Sequence, residues 1–360
     1  MHGRKTPPVN SPAGGSILKK IKFFAPLLAL PLLLLGGCKN ATPAIGLSAN
    51  WNRDTAIGNL TGEKPEFEEL VYDVTFESKE TEKYAVHYEN GTYTTRLGAR
   101  LIEVGKDEAG NPVNEFCYYY RTSLDIDVYF TIGEQKSETF RDTLVSEVWF
   151  RNLDNALQPV KSVKTGVSHT PVGNNPKSLE DDYYAFFDEY NCTIEYNNPL
   201  TSAAINRSYQ ERYSSQTETT EKKTELTTKL KADNFFDNEQ IMFMLRGTDM
   251  SESVTLKTLN STAFASMSTV RAAAPKATSY AVDFAMTENG ETKQVNGSID
   301  AFSLEFSYSS GMSGQAQQAV YAARTNVNDN LYRNVLLYME VPLFSSLGTL
   351  KYTLKTATFL

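Results

Sequence analysis

Hydrophobic and polar residues alternate over most of the chain from residue 67 onward, the pattern of β-strands that bury one face. In Phe67–Ser78 the apolar side chains share one parity and the acidic ones share the other. The longest run, Asn114–Thr131, rises by about 3.3 Å per residue and is longer than most strands, so we expect it to bend or bulge. Another alternating run, Leu347–Leu360, closes the chain. The pattern predicts a mainly β protein.

Several segments between these runs carry turn or helix signals. Asn90-Gly91 and Asn289-Gly290 each lie between alternating runs and predict tight hairpin turns. Residues 168–190 interrupt the alternation: Pro171, Gly173 and Pro176 predict a loop, which the aromatic segment Tyr183–Tyr190 follows. Residues 192–231 are rich in threonine with little alanine, which favours strands over a charged helix. Gln315–Ala323 is interpreted as a short helix.

One helix is well marked near the middle of the chain. Asp237 is placed to be its N-cap, Gln240 completes a capping box, and Phe236 can pack on Ile241 as a hydrophobic staple. Gly247 is a suitable C-cap. Apolar residues cover much of the circumference, so the helix is expected to be buried. These apolar residues can pack in the core, can line an adaptable apolar ligand cavity, or can do both. The residues concerned are Ile241, Met242, Met244 and Leu245.

These elements predict a mainly β fold with a curved antiparallel sheet that encloses one or two short helices. The sheet is expected to form a half-barrel, with a two-lobed arrangement as the alternative. We assign residues 67–360 to a single large β-rich extracytoplasmic domain, with lobes 67–231 and 232–360 in the two-lobed case. Its length is sufficient for a sizeable core.

The N-terminal segment indicates where the protein resides. Lys19, Lys20 and Lys22 precede the apolar run Phe23–Leu35, which is shorter than the roughly 20 apolar residues of a membrane-spanning helix and contains two prolines. Leu35-Gly36-Gly37-Cys38 follows it and resembles the lipobox of bacterial lipoproteins. An uncleaved N-terminal anchor is the alternative interpretation.

The lipobox resemblance implies a signal peptide over residues 1–37 and a diacylated Cys38, with palmitate-type chains, as the first residue of the mature protein. Residues 38–66 are read as a flexible tether, since they are rich in Ala, Thr, Asn, Gly and Pro with little periodicity. The protein is then extracytoplasmic and anchored to the bacterial cell membrane by its N-terminal lipid. The membrane, reached through Cys38, is its expected partner.

Charge narrows the range of other partners. The full chain has a formal net charge of −8, and residues 1–37 contain five basic and no acidic residues, so the mature chain has −13. Such an acidic protein lacks the basic face that a nucleic-acid partner requires. Its charge is also unfavourable for binding anionic lipid headgroups.

Cysteine usage leaves two arrangements open. If Cys38 carries lipid, Cys117 and Cys192 remain, and an exported compartment permits a disulfide between them. Both lie in aromatic, strand-like surroundings, so two buried free thiols are an equal alternative. Neither has the spacing of a metal site.

The chain lacks catalytic, nucleotide-binding and metal-binding motifs. His87 is expected on the polar face of a strand and His169 in the loop after residue 168, neither with a partner motif. Asp125 and Asp127 share a strand face and Glu180–Asp182 form an acidic run, both interpreted as solvated surface. We therefore predict no enzymatic activity and no cofactor.

Some stretches resemble uncharacterised exported β-proteins similar to the lipoprotein-carrier (LolA-type) half-barrels. They are Phe236–Arg246, Glu340–Leu343 with Leu347–Leu350, and Leu153–Val160. The resemblance implies a sheet wrapped around helices and an apolar-ligand cavity, and it carries over no catalytic residue. This chain departs from the soluble carriers by its own lipobox and its threonine-rich segment at 200–231.

The leading functional hypothesis is therefore a non-enzymatic, membrane-anchored lipoprotein that binds an apolar or amphiphilic ligand in a β-sheet cavity. The alternative is a structural or interaction module of the cell envelope that binds protein or wall polymer. A hydrolase of unknown type is the third hypothesis.

Overall fold

The computed structural model describes residue 66 and residues 68–78, 84–153, 156–171, 184–230, 235–247, 253–260, 266–309, 316–323, 335–343 and 347–359. The predicted signal peptide, the lipidation site Cys38 and nearly all of the tether lie outside these residues. The acidic run 180–182 and the division between the two predicted lobes, at 231–232, also lie outside them.

Strands dominate the described residues. The elements in chain order are β1 (Glu68–Ser78), β2 (Tyr84–Lys106), β3 (Pro112–Ile132), β4 (Gln135–Lys136), β5 (Phe140–Leu153), β6 (Ala156–Pro171), β7 (Tyr184–Tyr196), β8 (Ser202–Tyr213), β9 (Thr220–Lys229), a 3-10 turn (Asn238–Gln240), α1 (Ile241–Gly247), β10 (Val254–Asn260), β11 (Ser266–Ala272), β12 (Lys276–Glu288), β13 (Glu291–Tyr308), β14 (Gln317–Ala322), β15 (Leu336–Leu343) and β16 (Gly348–Phe359). The predicted fold class, mainly β around a short helix, is confirmed.

All the described strands belong to one sheet. The order along it is β10-β11-β13-β14-β15-β16-β1-β2-β3-β5-β6-β7-β8-β9, with β4 beside β3 and β12 beside β13 and β16. Neighbours are antiparallel except β12 and β16, which run parallel. The first and last strands, β1 and β16, pair along their whole length in the middle of the order. Strands from before and after the helix therefore share one sheet.

The inner face of the sheet, defined as the face that carries the main apolar cluster, surrounds α1. Each large apolar side chain buried there contributes about 1.5–3 kcal/mol relative to an exposed position. The largest fully buried aromatic side chains are Tyr72, Phe130, Phe150, Phe243, Phe306, Tyr321 and Tyr352. Phe243 comes from α1 and packs between Tyr120 and Phe150 of the sheet. The sheet thus wraps around the helix.

A second apolar cluster brings the two ends of the sheet order together. Ile194 and Ile205 of β7 and β8 pack in it with Leu259 of β10. Phe235 joins the same cluster and forms an isolated parallel bridge with Lys257 of β10. The sheet therefore curves until its terminal strands share one core, as expected of a strongly twisted sheet with many strands.

Two predicted turn and loop positions are wrong. Asn90-Gly91 does not close a hairpin, because β2 continues through it and pairs with β3 on both sides, with a register shift between Glu89 and Thr92. The Asn-Gly pair forms a bulge, with Asn90 at φ 51°. A Cβ on Gly91 would lie 2.7 Å from Val74 Cβ, so the close strand approach requires glycine here. His169 lies in β6 rather than in a loop.

The helix predicted for Gln315–Ala323 is also wrong. Gln317–Ala322 forms β14, which pairs with β13 on one side and β15 on the other. The pairing partners satisfy its backbone and override its local helical preference. By contrast, the strands predicted in the threonine-rich segment are confirmed as β8 and β9. The hairpin turn at Asn289-Gly290 is confirmed between β12 and β13.

Cys117 and Cys192 are both free and buried, so the alternative of two separate thiols holds and the candidate disulfide is absent. Cys117 lies on β3 and Cys192 on β7, with β5 and β6 between them. Three strand spacings of about 4.8 Å far exceed the Cα separation that a disulfide permits. Burial raises the pKa of the Cys192 thiol to about 11, which keeps it protonated and unreactive.

Candidate functional site: the polar groups inside the sheet

The predicted capping box begins the helix and forms the centre of a buried polar network. Asp237 accepts a hydrogen bond from the Glu239 backbone N–H at 2.8 Å, and the Gln240 side-chain oxygen accepts from the Asp237 N–H at 3.0 Å. Phe236 and Ile241, the predicted staple, both lie in the main cluster. The local sequence signal thus fixes the start of the helix, although its first turn is a 3-10 turn.

Asp237 also links the helix to the sheet. The Ser162 hydroxyl of β6 donates to Asp237 Oδ2 at 2.6 Å, and the Tyr196 hydroxyl of β7 donates to the same oxygen. Burial raises the pKa of Asp237, and the charge of Glu239 adds to this effect. The donated hydrogen bonds act in the opposite direction. A side chain that caps a helix therefore also holds two strands.

Lys164 and Glu239 form an interior ion pair beside this cap. Lys164 Nζ lies 3.1 Å from Glu239 Oε1, and both side chains are largely buried. Burial by itself would raise the pKa of Glu239, but the charge of Lys164 and several hydrogen bonds outweigh it, so the pKa lies below its usual range.

This ion pair predicts a pH effect that a neutral variant should remove. A carboxyl with a lowered folded pKa contributes stability above its unfolded pKa of about 4.3 and loses it as the pH falls through the folded value. We expect Glu239→Gln to lower the free energy of unfolding at pH 7 by about 2 kcal/mol. The deficit should shrink below pH 4, as urea unfolding across pH 3–7 would measure. A deficit that stays constant with pH would contradict this assignment.

Arg246 at the end of α1 pairs with Glu68 at the start of β1. Arg246 Nη1 and Nη2 donate to the two Glu68 carboxylate oxygens at 2.7 Å and 2.9 Å. Their side chains are 5% and 2% exposed. Burial lowers the pKa of Arg246, but the charge of Glu68 and its hydrogen bonds outweigh this, so the net pKa is raised and the guanidinium stays charged. This pair fixes the second end of the helix to the sheet.

Several buried polar atoms, including Ser146 Oγ and the Tyr352 hydroxyl, have no hydrogen-bond partner among the described residues, and four of the side chains that carry such atoms lie on neighbouring strands: Thr258, Ser268, Tyr308 and Gln317. We call these four side chains the polar band; its atoms are Thr258 Oγ1, Ser268 Oγ, the Tyr308 hydroxyl and both amide atoms of Gln317. Buried polar groups in proteins are nearly always hydrogen-bonded, so such a concentration requires an explanation.

Strand register places the whole band on the inner face. Thr258 and Ser268 lie directly opposite each other on β10 and β11. Val270 lies two residues from Ser268 and opposite Tyr308 of β13, and Gln317 of β14 lies opposite Phe306, two residues from Tyr308. Residues two apart on a strand share a face, and Val270 and Phe306 belong to the main apolar cluster. The band therefore borders that cluster.

The predicted ligand-cavity residues lie against the same core. Ile241, Met244 and Leu245 are fully buried in the main cluster, and Met242 is partly buried against it. The Met242 carbonyl accepts a hydrogen bond from the Tyr321 hydroxyl of β14 at 3.1 Å. Their placement fits both the core-packing and the cavity-lining roles.

His169 is paired with an acidic residue that the sequence reading missed. Asp142 of β5 accepts hydrogen bonds from the His169 backbone N–H at 3.0 Å and 3.1 Å, and its Oδ1 lies 2.5 Å from His169 Nδ1. Phe140 stacks on the His169 ring. Asp142 alternates in phase with Phe140 and Leu144, so the sequence places it on the inward face of β5. A carboxylate on an inward face is unusual, and this signal could have identified Asp142 from the sequence.

The remaining polar candidates are surface groups with ordinary partners. Asp125 and Asp127 both contact Arg141, with Arg141 Nη1 2.7 Å from Asp127 Oδ1. His87 Nε2 lies 3.0 Å from Thr131 Oγ1, and its ring stacks on Tyr129. Within the described ranges no three His, Cys, Asp or Glu side chains are placed to hold a metal ion.

No helix in the part of the chain that the structure describes is long and apolar enough to cross a membrane. Comparison with protein-family models finds no match. Comparison with curated proteins also finds no match. Among solved structures, the chain is similar to a beta-barrel-like protein of Domain of Unknown Function DUF1849 from Brucella abortus, at 9% identity and a TM-score of 0.43, covering 82% of this chain and 98% of that one.

Proposed function

We propose that this protein is a non-enzymatic lipoprotein that binds an amphiphilic ligand inside its curved sheet and is anchored to the membrane through Cys38. The observation that supports ligand binding is the polar band, which lies on the inner face beside the main apolar cluster. An interior that combines a large apolar surface with a few unsatisfied polar groups is suited to a molecule with an apolar body and a polar part.

The proposal of a lipid anchor is based on the sequence of the N-terminal segment. A basic flank, a short apolar run and Leu-Gly-Gly before Cys38 support export and lipidation of this cysteine. Two acyl chains hold a protein stably on a membrane, because each buried methylene contributes about 0.8 kcal/mol. The acidic mature chain would gain nothing from attraction to anionic lipids, so the anchor would supply the membrane affinity.

Replacing Cys38 by Ser should abolish membrane attachment by lipid. We expect labelled palmitate to be incorporated into the wild-type chain in a bacterial host and not into the Cys38→Ser variant. Replacement of Cys117 by Ser is the matched control and should leave incorporation unchanged, because that thiol is buried in the folded domain. Equal labelling of wild type and Cys38→Ser would contradict the anchor.

Native mass spectrometry tests the ligand. The mature chain, residues 38–360 with Cys38→Ser, would be purified without detergent and its intact mass compared with the denatured mass. We expect a noncovalent adduct with the mass of a lipid-like molecule. Repeated absence of any adduct would contradict ligand binding and would favour the second candidate function.

That second candidate is an interaction module of the cell envelope, and a projecting hairpin favours it. Leu101–Lys106 and Pro112–Phe116 pair with each other, and no other described strand pairs with them. Leu101 and Val113 are 46% and 42% exposed, the large apolar side chains most open to solvent in the described structure. Exposed apolar groups on a projecting element are suited to contact another macromolecule.

A further inference from the structure

The polar band extends diagonally across four strands of the inner face. Thr258 and Ser268 lie directly opposite each other. Ser268 and Tyr308 are diagonal cross-strand neighbours, as are Tyr308 and Gln317, and such neighbours lie about 7–8 Å apart. The band is therefore on the order of 20 Å long from Thr258 to Gln317, given strand spacings of about 4.8 Å and a rise of about 3.3 Å per residue. Two neighbouring positions of the band, such as Tyr308 and Gln317, lie close enough together to hold one small polar head group.

The band offers donors and acceptors but no formal charge. Threonine, serine and tyrosine hydroxyls and the glutamine amide can each donate and accept. Burial raises the pKa of Tyr308, and the nearby charge of Glu239 raises it further, so this hydroxyl remains a neutral donor. None of the four side chains supplies a positive charge that could stabilise an anionic group.

The buried cations of the described residues are already engaged. Lys164 pairs with Glu239 at 3.1 Å, Arg246 with Glu68 at 2.7 Å, and Arg151 with Glu115 at 2.8 Å. A carboxylate or phosphate placed on the band would lose its hydration without gaining a cationic partner, which is strongly unfavourable. A hydroxyl, ester or amide would instead find the complementary hydrogen bonds.

We propose that the polar band binds the polar part of the ligand, with Tyr308 and Gln317 holding its head group, and that this part is uncharged, as in a glyceride. The inference rests on the proposed function and deepens it, since it assigns the polar end of the ligand to one face of four strands and excludes fatty acids and anionic phospholipids as preferred ligands. The acyl part then lies against the apolar cluster that borders the band.

The test uses shape-conserving variants and two probes with the same acyl chain. Monoolein has an uncharged glycerol head, and oleate has a carboxylate. The lipid-stripped mature chain should bind monoolein at least tenfold more tightly than oleate in calorimetric titration at pH 7.5. Tighter binding of oleate would overturn the inference while leaving ligand binding intact. If neither probe binds, the proposed function fails as well.

Tyr308→Phe combined with Gln317→Met removes three polar atoms and nearly conserves volume. We expect monoolein affinity to fall about 100-fold, since each lost hydrogen bond costs up to about tenfold. Without ligand, the melting temperature should equal or exceed that of wild type, because unsatisfied buried groups have been removed. Tyr308→Phe alone should lower the affinity about tenfold.

Tyr321→Phe is the matched control, because the Tyr321 hydroxyl is buried nearby but has a protein partner. It should lower the melting temperature of the ligand-free protein and change monoolein affinity less than threefold. Unchanged monoolein affinity in the double variant would overturn the inference. A fall in its ligand-free melting temperature comparable to that of Tyr321→Phe would also overturn it, by showing that the band has structural partners.

Discussion

Arg246→Met is expected to lower the free energy of unfolding by about 3–5 kcal/mol. The substitution leaves the Glu68 carboxylate buried without the guanidinium that donates to both of its oxygens. It also releases the end of α1 from β1, and β1 pairs with both β2 and β16 in the middle of the sheet order. Urea unfolding followed by circular dichroism would measure the loss.

Two controls separate the buried charge from the loss of a long side chain. Arg96→Met removes a surface partner of Glu69, 2.6 Å away, where the side chains are 37% and 32% exposed. It should cost about 1 kcal/mol or less. The double variant Glu68→Met with Arg246→Met should recover much of the loss, because no unpaired charge remains. Equal effects of Arg246→Met and Arg96→Met would contradict the structural role of the buried pair.

Asp237→Ala is expected to cost about 3 kcal/mol, the second largest effect. The substitution removes the cap of the helix, worth about 1 kcal/mol, and leaves the buried hydroxyls of Ser162 and Tyr196 without their acceptor. Because those hydroxyls lie on β6 and β7, the loss should also weaken docking of the helix on the sheet. The midpoint of chemical unfolding and amide exchange in α1 would both report it.

Asp107→Ala is the control for Asp237→Ala, because Asp107 is an aspartate whose hydrogen bonds are local. Its side chain accepts from the Asn111 backbone N–H at 2.8 Å in an exposed turn, so Asp107→Ala should barely change the unfolding midpoint. Asp237→Asn should fall between the two, because an amide oxygen can still cap the helix but presents donors to Ser162 and Tyr196. An Asp237→Ala midpoint equal to that of Asp107→Ala would contradict the account.

Alternation predicted the strands well because most strands of this sheet bury one face. The same signal failed where a neighbour decided the outcome. Asn90-Gly91 has the residues of a hairpin turn, yet continuous pairing of β2 with β3 makes it a bulge. Gln317–Ala322 has a helical composition, yet two flanking strands make it β14. The local sequence of a segment does not specify which strand pairs with it.

The candidate site was predictable only in part, for the same reason. The capping box at Asp237 and Gln240 is a local pattern and was found, as were the apolar helix residues that follow it. The partners of the cap come from β6 and β7, many residues away along the chain, and only the fold brings them together. Lys164 and Asp142 lie at buried positions of their strands, a signal that a closer reading of parity could have used.

The polar band was beyond the reach of sequence reading. Each of its residues is an ordinary strand residue, and Gln317 lay in a segment predicted to be helical. Its significance arises only when four strands place their polar atoms on one inner face and none of these atoms finds a partner among the described residues. Such a feature depends on register, which a single sequence does not specify over several strands.

The central claim is that the inner face of the sheet binds an amphiphile through this band. A crystal structure of the mature chain purified from its bacterial host without detergent tests it most directly. The account predicts continuous electron density for a bound amphiphile, with its polar part within hydrogen-bond distance of Tyr308 and Gln317 and its chain against the apolar cluster. Ordered water alone at these side chains, with the interior closed by protein atoms, would contradict it.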